Sequence, residues 1–521
     1  MRSLRTPKRR LARLVATGLS LCLPSLGCGS KDTPPEGAGI GNGAGAAAAP
    51  VGGAPSAGAP GNGGTSANGG ASAGASGGQS GAMPSTGGAG GAGDGNAGAT
   101  SGSGGMAMSS GGKAGAAAGY AGRAPLGGNG GRDPGVAGMG GAAASSGFDG
   151  GGGRLPHVAV KDLPTIKEMP DPLTMNDGTK VTTVEQWQKR RWEMIQILEE
   201  YEYGYVPPAP GNVKAMTVTD SKPVTVGGVA TDYRMLHLTF GPDDSLGFDL
   251  GIFTPAAADA KGPFSVLIYL TSSANQSSAG SASAALERGY AVATVPYQEL
   301  GADASNWAST GFFSTYPDYD WHDFAAWAWG MSRAIDYLVT DPAIDAGKIM
   351  MTGVSRLGQA VLVAGAFDER VALSAPVAGG AAFRFSGKEM GGGLGQGITE
   401  VVDQNTYWFG QRLVDFRNQT PKLPSDQHWL LALTAPRLFI MCNSLSDQYG
   451  RAYAAVQTYQ SAKPVYDFLQ VPDNVGLNFR EGTHGMTAED WSALLDFADQ
   501  NLRKLGGSRK FDTIPPAQDL P

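Results

Sequence analysis

Residues 350–358 read Met350-Met351-Thr352-Gly353-Val354-Ser355-Arg356-Leu357-Gly358, an apolar strand that runs into a tight turn and then a helix. A turn of this kind tolerates little bulk around its central residue, hence the glycines. It lifts the serine hydroxyl to the edge of a sheet and aims a helix N-terminus at it, which favours a developing negative charge. The usual elbow is Gly-x-Ser-x-Gly; here the second glycine arrives one residue late, as Gly358. Gly-x-Ser alone is common, and a structural turn serine is the competing reading, so the strand and helix around Ser355 carry the argument.

Outward from this turn, strand-like and helix-like stretches alternate. Residues 265–270 (SVLIYL), 290–296 (YAVATVP), 348–352 (KIMMT), 437–442 (RLFIMC) and 475–479 read as strands. Residues 182–203, 281–288, 323–341, 359–367, 452–461 and 488–505 read as helices. Continuous apolar strands separated by helices imply a sheet covered on both faces, so the expected fold class is α/β, a doubly wound and mostly parallel sheet. In such sheets ligands sit beyond the carboxyl ends of the strands.

An activated serine needs a base within hydrogen-bond reach and an acid to orient that base, in the chain order Ser, Asp or Glu, His. Asp447 follows the strand 437–442, and His484 follows the strand 475–479 and precedes the last helix. His428 is a rival base, but it opens a helix-like HWLLAL run where packing or capping is the ordinary role. Asp447 could also serve only as a helix cap. Glu481 is close to His484 in sequence, which does not aim its carboxylate at the ring. The expected set is Ser355, His484 and Asp447.

Composition removes other classes. The net charge of −7 argues against a nucleic-acid partner. Three cysteines (Cys22, Cys28 and Cys442) cannot supply a zinc cluster or a disulfide framework. The five histidines include no pair at ligand spacing, so no metal is expected, and nucleophilic chemistry by a serine needs no organic cofactor. Charged residues make up only 16 %, because about 45 of the 81 glycines fall within residues 31–153.

Residues 1–28 read as a signal peptide: a basic start, an apolar segment over residues 14–26, then Ser25-Leu26-Gly27-Cys28, which resembles a lipoprotein cleavage box with Cys28 as the lipidated residue. Residues 29–153 are almost free of large apolar side chains and are expected to be a disordered Gly/Ala/Ser-rich linker with a reach of about 60 Å. Residues 154–510 form the expected folded domain and 511–521 a tail. The location implied is outside the cytoplasm, lipid-anchored at the cell surface or in the periplasm, with plain secretion as the alternative. Membrane contact is expected only through that anchor, and a monomer is expected.

At these residues the chain resembles the glucuronoyl esterases, carbohydrate esterase family 15, whose serine motif is Gly-Cys/His-Ser-Arg-x-Gly-Lys. The likeness runs from residue 186 to 502 and includes YGYVPP (203–208), DFAAWAWGMSRAIDYL (323–338), DPAID (341–345), HWLLALTAPR (428–437) and HGM…DW…LDFAD (484–499). The resemblance implies an α/β-hydrolase fold in a divergent bacterial member, with Ser355 as nucleophile, His484 as base and Arg356 as the oxyanion-stabilising arginine. It implies a plant cell-wall polysaccharide substrate, the ester of 4-O-methyl-glucuronate. Gln359, Gln396, Gln404 and Trp408 are the candidates for the sugar site.

Four positions depart from the family pattern. Many members place the acid as a glutamate where this chain has Ala378, leaving Asp447 as the acid. The motif's lysine is Gln359, a glutamate expected shortly before the Trp-Phe pair is Gln404 ahead of Trp408-Phe409, and the tryptophan expected just past the acid is replaced by Tyr449. Glucuronoyl esterase is therefore the first reading, and a polysaccharide esterase of different specificity, such as one removing acetyl groups from xylan, is the second. A surface carbohydrate-binding protein without catalysis is the third; the retained Ser355, Arg356, Asp447 and His484 argue against it. One backbone oxyanion donor is expected from the loop 271–275.

Overall fold

The computed structural model describes residues 154–520, except 257–260 and 394. The expected signal peptide, Cys28 and the linker lie outside the described residues. Strands β1 (Lys214–Val226), β2 (Val229–Phe240) and β3 (Leu246–Pro255) are followed by β4 (Phe264–Thr271), β5 (Ala291–Pro296) and β6 (Ile344–Val354). The last three are β7 (Leu373–Val377), β8 (Leu438–Ser444) and β9 (Val475–Arg480). They form one sheet in the order β1-β2-β3-β5-β4-β6-β7-β8-β9. From β5 to β9 every neighbouring pair is parallel, and β1, β2 and β3 add an antiparallel ribbon at one edge. The mostly parallel sheet is the one expected from the alternation of strands and helices, and the fold is the α/β-hydrolase type that the resemblance implies.

Each apolar strand run is explained by a sheet buried on both sides. In β4, Val266, Ile268 and Leu270 enter the core on one face, while Leu267 enters the core on the other. Met351 and Met350 of β6 divide the same way. The first core is closed by the helices Asp323–Leu338, Arg356–Phe367, His428–Thr434 and Ala452–Phe468; the second is closed chiefly by Ala488–Asn501. The helix Asp323–Leu338 is buried almost all round, and Trp329 sits edge-on to Phe240, Phe312 and Trp321.

Several elements differ from the sequence reading. The antiparallel ribbon was not expected: β1 is largely exposed along its length and holds its conformation by pairing with β2 rather than by burial. The helix expected over 281–288 is present as Ser283–Glu287, and a further short helix, Gln276–Gly280, precedes it. The helix beginning at Ala452 does not stop at residue 461 but continues through Pro464 to Phe468, because Ala462, Val465 and Tyr466 still have core to bury against. At the other end of the domain Phe511 packs edge-on against Phe497, and its carbonyl accepts the N–H of Leu477 at 2.7 Å.

The chain leaves β4 in one direction to form β5, then crosses back over β4 to form β6 on its other side. That reversal opens a crevice beyond the carboxyl ends of the strands. The loops after β5, β6, β7, β8 and β9 all carry residues of the site described next.

Candidate active site

Ser355 follows β6 directly and opens the helix Arg356–Phe367. Its φ of 59° and ψ of −125° lie where non-glycine residues are strained, a cost that persists only when the surroundings hold the turn in place. They do: Ser355 N–H donates to Val377 O at 2.8 Å, and Gln359 N–H donates to Ser355 O at 2.9 Å. The late glycine is explained by the end of β7. A Cβ on Gly358 would lie 2.9 Å from Val377 O, and one on Gly353 would lie 2.7 Å from Leu357 O. Both glycines are demanded by the close approach of strand and helix around the serine.

Asp447 sits three residues beyond β8 and is fully buried. Its two carboxylate oxygens lie 3.0 and 2.9 Å from His484 Nδ1. Oδ1 also accepts the N–H groups of Tyr449 at 2.8 Å and Gly450 at 2.9 Å. Burial pushes this carboxyl upward, but the hydrogen bonds from His484, Gly450 and Tyr449 outweigh it and hold the group below its ordinary value. With Nδ1 committed to Asp447, Nε2 is the ring nitrogen left for the cavity, which His484 lines together with Ser355 and Arg356.

The loop carrying His484 is fixed by Arg480. Its guanidinium donates to the carbonyls of Glu481 at 3.0 Å and Gly485 at 2.6 Å, and its Nε donates to the buried Asp490 at 2.6 Å. Glu481, the other carboxylate near the histidine in sequence, is exposed to solvent. His428 is buried with Nε2 2.7 Å from Pro170 O, and burial first of all lowers its pKa to about 4; it packs, and does not line the cavity.

Arg356 projects into the same cavity from the first position of its helix. Its Nε donates to Asp303 Oδ2 at 2.6 Å, and Nη2 approaches the Tyr297 hydroxyl at 3.5 Å. Burial works against this charge, but Asp303 and Tyr297 hold the guanidinium above its ordinary pKa. Trp408 lines the cavity too, and its Nε1 donates to the other oxygen of Asp303 at 2.7 Å. Asp303 lies in the irregular loop after β5, where no sequence pattern singled it out.

Of the other expected residues, Gln396 lines the cavity, and its N–H donates to Tyr449 O at 3.0 Å. Gln359 also lines it, but its polar atoms face inward. Nε2 donates to Tyr203 Oη at 2.9 Å and to Gln427 Oε1 at 2.5 Å, while Oε1 accepts Gly380 N–H at 3.2 Å. Gln427 was not anticipated, since it only precedes the helix-like run that opens at His428 and belongs to no motif. Gln404 does not line the cavity: it is the last residue of the helix Ile398–Gln404, exposed, with Val401 of that helix reaching the cavity instead. The loop 271–275 does not line it either; the Ala274 carbonyl lies instead against Gly251 of β3, leaving no room for a Cβ on that glycine.

The sequence profile of the family described as glucuronyl esterase, fungi, matches residues 242–470. A carbohydrate esterase from an unknown prokaryotic organism is 31 % identical over 64 % of this chain and 89 % of its own. The 4-O-methyl-glucuronoyl methylesterase 1 of Wolfiporia cocos is 33 % identical over 59 % of this chain and 74 % of its own. Among solved structures, a carbohydrate esterase family 15 glucuronoyl esterase from Caldicellulosiruptor kristjansonii superposes with a TM-score of 0.58 at 31 % identity, covering 69 % of this chain and 96 % of that one. The chain belongs to carbohydrate esterase family 15. It is a glucuronoyl-esterase-like serine hydrolase.

Of the positions that depart from the family pattern, Gln359, Ala378 and Tyr449 line the cavity and Gln404 does not. Ala378, where many members are expected to carry a glutamate, lines it at the end of β7 with a left-handed φ of 52°. Tyr449, in place of the expected tryptophan, is 46 % exposed and stands edge-on to the His484 ring at 4.9 Å between centroids.

Proposed function

We propose that this family 15 esterase cleaves glucuronate esters of plant cell-wall polysaccharide with Ser355 as nucleophile, His484 as base, Asp447 as the acid that orients it, and Arg356 in the oxyanion hole. The observation that carries this reading is the buried Asp447 carboxylate on His484 Nδ1, beside a serine held at positive φ in the same cavity. Ser355 Oγ attacks the ester carbonyl carbon as its proton passes to His484 Nε2, and Asp447 stabilises the resulting imidazolium through Nδ1. The carbonyl oxygen becomes an alkoxide facing the Arg356 guanidinium and the backbone N–H of Arg356 at the helix start. The C–O bond to the alcohol breaks, with the proton returning from Nε2 to the leaving oxygen. Water, deprotonated in turn by His484, then attacks the acyl-serine and releases the free acid and Ser355.

Trp408 and Gln396 are the side chains proposed to face the sugar. The inward commitment of Gln359 favours a second reading, an esterase with looser demands on the sugar, such as one that removes acetyl groups. Comparing hydrolysis of benzyl glucuronate with release of acetate from acetylated xylan tests the choice. Preference for benzyl glucuronate is expected; turnover of acetylated xylan alone would establish the second reading. Lipidation at Cys28 and work outside the cytoplasm are part of the same proposal, checked by labelling with a radioactive fatty acid, expected to be lost in Cys28→Ala.

A further inference from the structure

We infer that Asp303 is the positioning residue of this site, one carboxylate that sets both the aim of Arg356 and the place of Trp408. The inference rests on the oxyanion role proposed above for Arg356. Asp303 does not itself line the cavity, whereas its two partners do. Oδ2 holds Arg356 Nε at 2.6 Å and Oδ1 holds Trp408 Nε1 at 2.7 Å. Gripping a guanidinium by Nε leaves its two terminal nitrogens as the donors that can meet an alkoxide, and fixes the plane in which they lie.

The carboxylate is itself held firmly. Asp303 adopts a left-handed φ of 53°, and its backbone N–H donates to Asp323 Oδ2 at 3.1 Å. Asp323 is fully buried at the start of the helix Asp323–Leu338, and its own N–H donates to Tyr407 O at 3.0 Å. Phe324 N–H donates to Trp408 O at 3.1 Å. The segment carrying Trp408 is thus tied twice to that helix by backbone and once to Asp303 by its indole. Loops from three separate parts of the chain, after β5, after β6 and around residue 408, meet at one side chain. The groups facing it are Arg356, Trp408, Asp323 and the more distant Tyr297 and Tyr407 hydroxyls. An exposed surface ion pair has no such second anchor, and Asp303 is only 12 % exposed.

The test is a double-mutant cycle on 4-nitrophenyl acetate, whose alkoxide needs Arg356 whatever the natural sugar is. Asp303→Asn keeps an acceptor for the indole and removes the charge under Arg356. It is expected to lower kcat about 10- to 100-fold with KM within about twofold, and to have less than about a twofold further effect in the Arg356→Ala background. Trp408→Phe keeps an aromatic ring in the cavity, deletes the indole hydrogen bond and frees the carboxylate to turn; its smaller kcat loss is expected to vanish in the same background, which keeps the test decisive should Asp303→Asn not fold. Losses that multiply with that of Arg356→Ala would overturn the inference, as would an unchanged kcat in Asp303→Asn while Arg356→Ala is impaired. If Arg356→Ala itself keeps full kcat, the oxyanion reading fails and Asp303 has nothing to position.

Discussion

Replacing Asp447 by asparagine separates orientation from mere proximity, because the surroundings dictate how the amide must sit. Oδ1 receives two backbone N–H groups, from Tyr449 at 2.8 Å and Gly450 at 2.9 Å. An asparagine has one acceptor, and these donors require it at that position. Its NH2 group then occupies the place of Oδ2, 2.9 Å from His484 Nδ1, while the retained Oδ1, 3.0 Å from that nitrogen, is already committed to two backbone N–H groups. A donor facing Nδ1 forces the ring proton onto Nε2, the nitrogen that must accept the Ser355 proton. The imidazolium also loses its buried counter-charge. Together these are expected to reduce kcat by about 10³- to 10⁴-fold, or about 4–5.5 kcal/mol of barrier. The assay is steady-state hydrolysis of an activated ester by a variant whose thermal unfolding shows it folded. A kcat within tenfold of the parent enzyme would refute the reasoning, for then Asp447 would not be setting the state of the ring.

Three further outcomes follow from the same geometry. Ser355→Gly and Ser355→Ala should both abolish turnover, but glycine relieves the positive φ that alanine keeps, so calorimetry should find Ser355→Gly more stable than Ser355→Ala by about 1 kcal/mol; equal stabilities would mean the turn is unstrained. Arg480→Lys keeps a charge for Asp490 but cannot hold the carbonyls of Glu481 and Gly485 at once; kcat should fall at least tenfold with KM little changed, and an unchanged kcat would mean that the His484 loop holds itself. Burial, with the charge of Asp303 added, pushes the Asp323 carboxyl up to about 8. The folded chain therefore keeps a proton there that the unfolded chain loses above the ordinary value of 3.8, so this group's contribution to stability falls as pH rises toward 8. Asp323→Asn should flatten the decline by up to about 1.4 kcal/mol per pH unit between roughly pH 5 and 7.5; an unaltered slope in denaturant melts across that window would contradict the shift.

What could be read from residues alone was whatever local pattern enforces. The apolar runs of β4, β5, β6 and β8 declare strands buried on two faces, and strand, turn and helix around Ser355 follow one another without a gap. Asp447 and His484 could be singled out as candidates because each comes shortly after such a strand. β7 was missed because Leu373-Ser374-Ala375-Pro376-Val377 is short and holds a proline, and it is a strand by virtue of its parallel neighbours β6 and β8. Asp303 was missed for a different reason: its loop has no periodicity, and its meaning comes from Arg356 and Trp408, distant in sequence. Gln404 shows the reverse: the resemblance put it at the sugar site, in place of a glutamate ahead of Trp408-Phe409, and its helix ends with it in solvent.

The central claim is that Ser355 carries the acyl group, and trapping that group tests it most directly. The full chain would be mixed with a slowly deacylating activated ester, quenched in acid, digested and read by mass spectrometry. The acyl mass is expected on the peptide containing Ser355, absent in Ser355→Ala and slow to form in His484→Ala. Acylation at another residue, or steady hydrolysis by Ser355→Ala, would contradict it.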